Sequence, residues 1–153
     1  MAETGPFYHA AFVVRDLEQS MEDYSAALGL SWARVLRRSA LVRTAQGVIT
    51  SQQAVTYSLQ GPPYLELFQV QPEPSPWSKL GMHHVGTWAE DVKQQLDRLT
   101  ALGFVRESAG VDETGRVVGF EYLTDPSGNR IEVLHRPTKQ PMLERWLAGG
   151  DYH

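Results

Sequence analysis

Two histidines and two glutamates recur in this chain at matching places, and together they form a set that can hold a divalent metal ion. His9 opens the run His9-Ala10-Ala11-Phe12-Val13-Val14-Arg15-Asp16, and His84 opens a second run that reaches Asp91 after the same seven-residue step. Glu66 sits inside Leu65-Glu66-Leu67, and Glu132 inside Ile131-Glu132-Val133. Two imidazoles and two carboxylates offer only nitrogen and oxygen donors, with no soft ligand, and the two carboxylates neutralise a 2+ ion. Taken singly, each residue has an ordinary alternative. A strand histidine is usually structural, and a glutamate between apolar neighbours can face water from an exposed sheet face. The repetition favours the metal reading, because burying two unpartnered carboxylates costs on the order of several kcal/mol each.

The repeat extends into the elements that must position these side chains. Asp16-Leu17-Glu18-Gln19 matches Asp91-Val92-Lys93-Gln94. Each is a helix N-cap followed by a glutamine able to reach back to the cap's backbone N–H. Leu17, Met21 and Tyr24 correspond to Val92, Leu96 and Leu99. Alternation predicts a strand over 7–14, then a helix from Asp16 to about Leu28 stopped by Gly29, then strands over 32–44, 48–59 and 64–70. Pro72, Pro74 and Pro76 make 71–81 an extended link between the halves, with Trp77 beside it as a candidate interface residue. The second half repeats the order, with a strand over 83–88, a helix over 91–102 closed by Gly103, and strands over 104–109, 116–124 and 130–135. A short helix is predicted over 142–148. One domain results, with a first module over 7–70, the link over 71–81, a second module over 82–135 and a tail over 136–153.

If the helices cover one face of the sheets, His9, Glu66, His84 and Glu132 all project from the other. Residues two places from them on the same face include Tyr64, Phe68, Trp88, Arg130 and Leu134, which makes these the predicted walls of a substrate pocket. His83 is assigned by the same alternation to the helix side, and its replacement is expected to leave a metal in place. Glu121 is a further base candidate, with a salt-bridged strand residue as the simpler reading. His135 falls on the opposite face from Glu132 and reads as structural.

The totals narrow the function classes. The chain has 153 residues, a formal charge of −4 and scattered Lys and Arg, which gives no footprint for nucleic acid or an anionic membrane. It has no cysteine, so disulfides, thiolate metal sites and a cysteine nucleophile are excluded. No apolar run approaches membrane-spanning length, and the absence of a basic, apolar leader favours a cytoplasmic location.

The two His-x6-Asp units, together with Asp125-Pro126-Ser127-Gly128-Asn129-Arg130-Ile131-Glu132, resemble the vicinal oxygen chelate superfamily. That superfamily includes glyoxalase I, methylmalonyl-CoA epimerase, extradiol dioxygenases, fosfomycin-resistance enzymes and bleomycin-binding proteins. The resemblance covers roughly 7–135. It implies an α+β fold in which paired βαβββ modules form a curled mixed sheet around a metal cavity, with the helices outside. It places metal ligands at His9, Glu66, His84 and Glu132, similar to the set of bacterial-type glyoxalase I, whereas epimerases usually carry glutamine at the position of Glu66. It also implies one divalent ion (Ni, Co, Zn, Mn, Fe or Mg) and a small substrate chelated through adjacent oxygens. Proton movement then runs through an enolate-like intermediate, with Glu132 as the catalytic base and Glu66 as the runner-up. A glyoxalase-type lyase or isomerase is the main expectation, acting as a homodimer. An epimerase, a non-catalytic drug-binding protein and an extradiol dioxygenase are the alternatives.

Overall fold

A computed structural model describes residues 6–153. The first half contains β1 (Phe7–Val14), α1 (Leu17–Leu28), β2 (Leu36–Thr44), β3 (Gly47–Tyr57) and β4 (Tyr64–Gln69). The second repeats it as β5 (Gly81–Ala89), α2 (Val92–Ala101), β6 (Val105–Val111), β7 (Val117–Thr124) and β8 (Arg130–His135), followed by α3 (Arg136–Leu147). The eight strands form a closed barrel in the order β1-β4-β3-β2-β6-β7-β8-β5. Antiparallel β1 and β5 join the halves on one side. Each runs parallel to the last strand of its own half, β4 or β8. On the far side β2 and β6 pair from Leu41–Val111 to Arg43–Ala109. The α+β architecture of paired βαβββ units is therefore the observed one, with the sheet closed on itself.

Both helices begin where their caps dictate. The Asp16 carboxylate accepts from the Gln19 backbone N–H, and Asp91 does the same for Gln94. The glutamine at the third helical position reaches back to the cap's backbone N–H in neither helix; in α1 its amide donates to Asp23 instead. Gly29 ends α1 in the left-handed region at φ 68°, where its N–H reaches the Ser25 carbonyl and a side chain would be strained. The helices bury their apolar stripes on the barrel exterior, Leu17 against Ala54 and Leu67, and Leu96 and Leu99 against Leu123 and Val133. The interior is a separate, aromatic core that includes Tyr8, Tyr57, Phe68, Trp77, Trp88, Tyr122 and Trp146.

Two segments differ from the sequence expectation. The proline-rich link is folded inward, and Trp77 is fully buried, so it cannot serve as an interface residue. Its ring stacks on Phe68 at 5.0 Å and its Nε1–H donates to the Tyr122 hydroxyl. The terminal helix begins six residues earlier than predicted, because Pro137 fits its first turn and Pro141 is accommodated inside it. The helix packs Leu143 and Trp146 onto the barrel interior. Among the described residues no helix is long and apolar enough to cross a membrane.

Candidate metal centre

Two register rows cross the barrel interior with the same residue pattern. The first runs Tyr57, Glu66, Ala11, His84 over β3, β4, β1 and β5. The second runs Tyr122, Glu132, Gly86, His9 over β7, β8, β5 and β1. Each row takes its tyrosine, glutamate and small residue from one half and its histidine from the other, so a histidine from one half meets a glutamate from the other across a small residue. The small residue is required. A Cβ on Gly86 would lie 1.8 Å from His9 Cε1, and fully buried Ala11 leaves the matching space beside His84.

The four side chains converge where all are buried. His9 Nε2 lies 2.9 Å from His84 Nε2 and 2.8 Å from Glu66 Oε2. His84 Nε2 is 3.4 Å from Glu66 Oε2, and Glu132 oxygens stand 3.5 Å from His9 Nε2 and 3.7 Å from His84 Nε2. Donors around one ion at roughly 2.1 Å sit about 3.4 Å apart in tetrahedral geometry, and the observed separations bracket that spacing. Glu66 Oε2 is close to His9 yet not aligned for a hydrogen bond, which leaves a buried carboxylate oxygen unpartnered. The donor set and the orphaned oxygen both fit a small divalent cation.

The protonation of the histidines follows from their neighbours. The Pro76 carbonyl can only accept, so His83 Nε2, 2.8 Å away, carries a proton and donates it. Burial first, then the His84 and Arg130 charges, hold His83 down at about 3, so its Nδ1 is bare. His84 Nδ1, 2.8 Å from that atom, must then donate, and His84 Nε2 faces the centre. His9 Nδ1 meets the Tyr57 hydroxyl at 3.2 Å, so its Nε2 also points inward. His83 thus lies inside the barrel, contrary to alternation. The β1–β5 register slips between Ala11–His84 and Phe12–Met82, leaving His83 as an extra, bulged residue. A bulge turns adjacent side chains toward one face. The same irregularity between Phe7 and His9 brings Tyr8 in, where it stacks on Trp88. Because His83 fixes the tautomer of His84, His83→Ala is expected to weaken metal affinity about 10–100-fold, read by competition with a chelating dye. Unchanged affinity would contradict this role.

Burial disfavours charge on every member, and the outcome differs between them. For His9 burial is outweighed by Glu66 and Glu132, and its pKa is raised. For Glu66 it is outweighed by His9 and His84, which hold the carboxyl at about 2. For Glu132 burial prevails, reinforced by the Glu66 charge, and the pKa rises. The two carboxyls are pushed in opposite directions, Glu66 down and Glu132 up.

A cavity of about 340 Å³ opens against Glu66 and Glu132. Phe68, Trp88 and Leu134 line it, with Tyr8, Tyr57, Tyr122, Trp146 and Tyr152. Two predicted wall residues lie elsewhere. Tyr64 borders a separate recess of about 140 Å³ beside Phe7 and Pro62. The Arg130 guanidinium is captured by both Glu107 oxygens and the His83 carbonyl. Glu121 is buried on the outer face, 3.8 Å from Arg43 and 3.6 Å from Arg106, where it is structural and remote from the centre. His135 contacts Thr138 at the start of α3. Tyr57 and Tyr122 went unnoticed in the sequence, although each precedes its glutamate by nine or ten residues. The terminal aromatics gave no such signal.

The fold agrees with comparisons to known proteins. A family model described as Glyoxalase/Bleomycin resistance protein/Dioxygenase superfamily matches residues 8–120. No curated protein matches the chain. Among solved structures, a Streptomyces coelicolor methylmalonyl-CoA epimerase variant in complex with 2-nitronate-propionyl-CoA is 18% identical with a TM-score of 0.58. That alignment covers 85% of this chain and 93% of the other. The methylmalonyl-CoA epimerase of Mycobacterium tuberculosis is 15% identical with a TM-score of 0.56, over 88% and 91% of the two chains. A Streptomyces coelicolor 4-hydroxymandelate synthase mutant aligns at 15% identity and TM-score 0.56, over 86% of this chain and 39% of its own. At these identities the solved structures share the fold, and the family model extends the match to most of the sequence. With two βαβββ halves closed around duplicated histidine–glutamate rows, the chain belongs to the glyoxalase, bleomycin resistance protein and dioxygenase superfamily.

Proposed function

We propose that the barrel interior binds one divalent ion through His9, Glu66, His84 and Glu132 and moves a proton at a carbon beside a carbonyl, as a lyase or isomerase of glyoxalase type. The observation that carries this reading is the convergence of donor atoms from His9, His84 and Glu132 within 4.8 Å of one another, with Glu66 Oε2 2.8 Å from His9, against an aromatic cavity. Bound there, the ion supplies Lewis acidity to a substrate oxygen and so acidifies the neighbouring C–H. Glu66 remains anionic, and Glu132 receives the proton and returns it. Burial, followed by the nearby carboxylates, keeps the Tyr8 and Tyr122 phenols protonated, so both remain hydrogen-bond donors beside the reacting atoms. All four side chains come from one chain.

An epimerase would use the same proton step. A protein that binds an aromatic small molecule without catalysis is the second reading, favoured by the stacked Tyr8–Trp88 pair in the cavity wall. Incubation in D2O with carbonyl acids and acyl thioesters, after loading with each candidate ion, separates the two. Metal-dependent deuterium uptake beside the carbonyl is expected. Absence of uptake with every ion, combined with ligand affinity that ignores the metal, would establish the binder.

A further inference from the structure

The cavity carries two positive charges that the proton chemistry leaves unused. Arg38 on β2 and Lys139 on α3 both line it, the first exposed to solvent and the second half-buried. Among the described residues neither forms an ion pair. The Arg38 Nε–H donates to Gln53, and the guanidinium carbon lies 5.5 Å from the centre of the Tyr152 ring. These two contacts fix the guanidinium at the cavity wall. Lys139 is held below its ordinary pKa, first by burial and then by the Arg38 charge. Two like charges facing one partly desolvated space repel each other unless an anion lies between them.

The charge balance makes the same point. Glu66 and Glu132 neutralise a divalent ion, so the loaded cavity retains the two positive charges of Arg38 and Lys139. This excess stands against a formal charge of −4 for the whole chain. A neutral substrate would leave it uncompensated. We propose that Arg38 and Lys139 form an anion subsite at the solvent side of the cavity, so that the substrate is a carbonyl compound bearing a carboxylate or phosphate. The charge balance rests on the metal reading above; the pairing of the two cations does not.

Matched fluorescent probes test the subsite without a known substrate. Anilinonaphthalene sulfonate is anionic and aromatic, and phenylnaphthylamine is its uncharged counterpart. In the double variant Arg38→Gln, Lys139→Gln, sulfonate affinity is expected to fall roughly tenfold or more while naphthylamine affinity stays within about twofold, as loss of charge-assisted hydrogen bonds requires. Arg38→Lys, which keeps the charge, should retain most of the sulfonate binding. Displacement of the sulfonate by phenylphosphate or by phenylacetate identifies which anion the subsite prefers, and displacement by neither would overturn the inference. Unchanged sulfonate affinity, or equal loss of both probes, would overturn it too. Metal content measured on the same samples reports separately on the metal reading, since neither substitution touches the proposed ligands.

Discussion

Replacing Glu132 by glutamine should leave the ion bound and slow proton exchange by roughly 10²–10⁴-fold, the usual contribution of a positioned base. The amide oxygen still offers a lone pair to the metal, but the amide cannot take the proton. Glu132 is favoured over Glu66 because the two carboxyls stand in different fields. Glu66 touches His9 Nε2 at 2.8 Å and is held low by His9 and His84, whereas burial, reinforced by the Glu66 charge, raises the Glu132 pKa. Glu66→Gln should therefore weaken metal binding more than it slows the exchange of the loaded protein. The comparison is read as deuterium uptake per metal-loaded chain. Full exchange in Glu132→Gln with loss in Glu66→Gln would exchange the two roles.

Gly86→Ala should cost the site about as much as deleting a ligand. The new Cβ would stand 1.8 Å from His9 Cε1 and 2.0 Å from its Nδ1. A two-torsion side chain could evade that clash if there were space, but His9 is fully buried between Tyr8, Tyr57 and His84. Its ring must leave the centre and break the Tyr57 contact. Metal affinity should fall on the order of 100-fold or more, as for loss of a direct ligand or its support. Adding Gly86→Ala to His9→Ala should then cost little more, because the side chain it displaces is already gone. Additive losses would mean that Gly86 acts through something other than His9.

Much of this arrangement was legible because it is written twice. The His-to-Asp step marks where each strand hands over to a helix, and the asparagine-free caps Asp16 and Asp91 behave as their positions require. Strand parity then placed His9, Glu66, His84 and Glu132 on one face, and they do meet. Parity failed where the pairing slips. The bulges before His9 and His84 depend on how β1 and β5 register, a long-range property that neither strand encodes alone. His83 was therefore assigned to the wrong face, and Tyr8 was not recognised as an interior residue. Trp77 was misjudged because prolines describe an extended backbone but not where its one large side chain goes. Arg130 illustrates a further limit, since its partner Glu107 is distant in sequence and nothing local shows which carboxylate will capture it.

Protons compete with the ion at His9, whose pKa is raised, so metal occupancy should decline as the pH falls toward and through that value. The most direct measurement is elemental analysis of the purified chain after loading and gel filtration, with His9→Ala and Glu132→Ala treated identically. The convergent donor set predicts about one divalent ion per wild-type chain and a sharp loss in both variants, since the remaining donors neither fill nor neutralise the site. Equal metal content in all three proteins would contradict it.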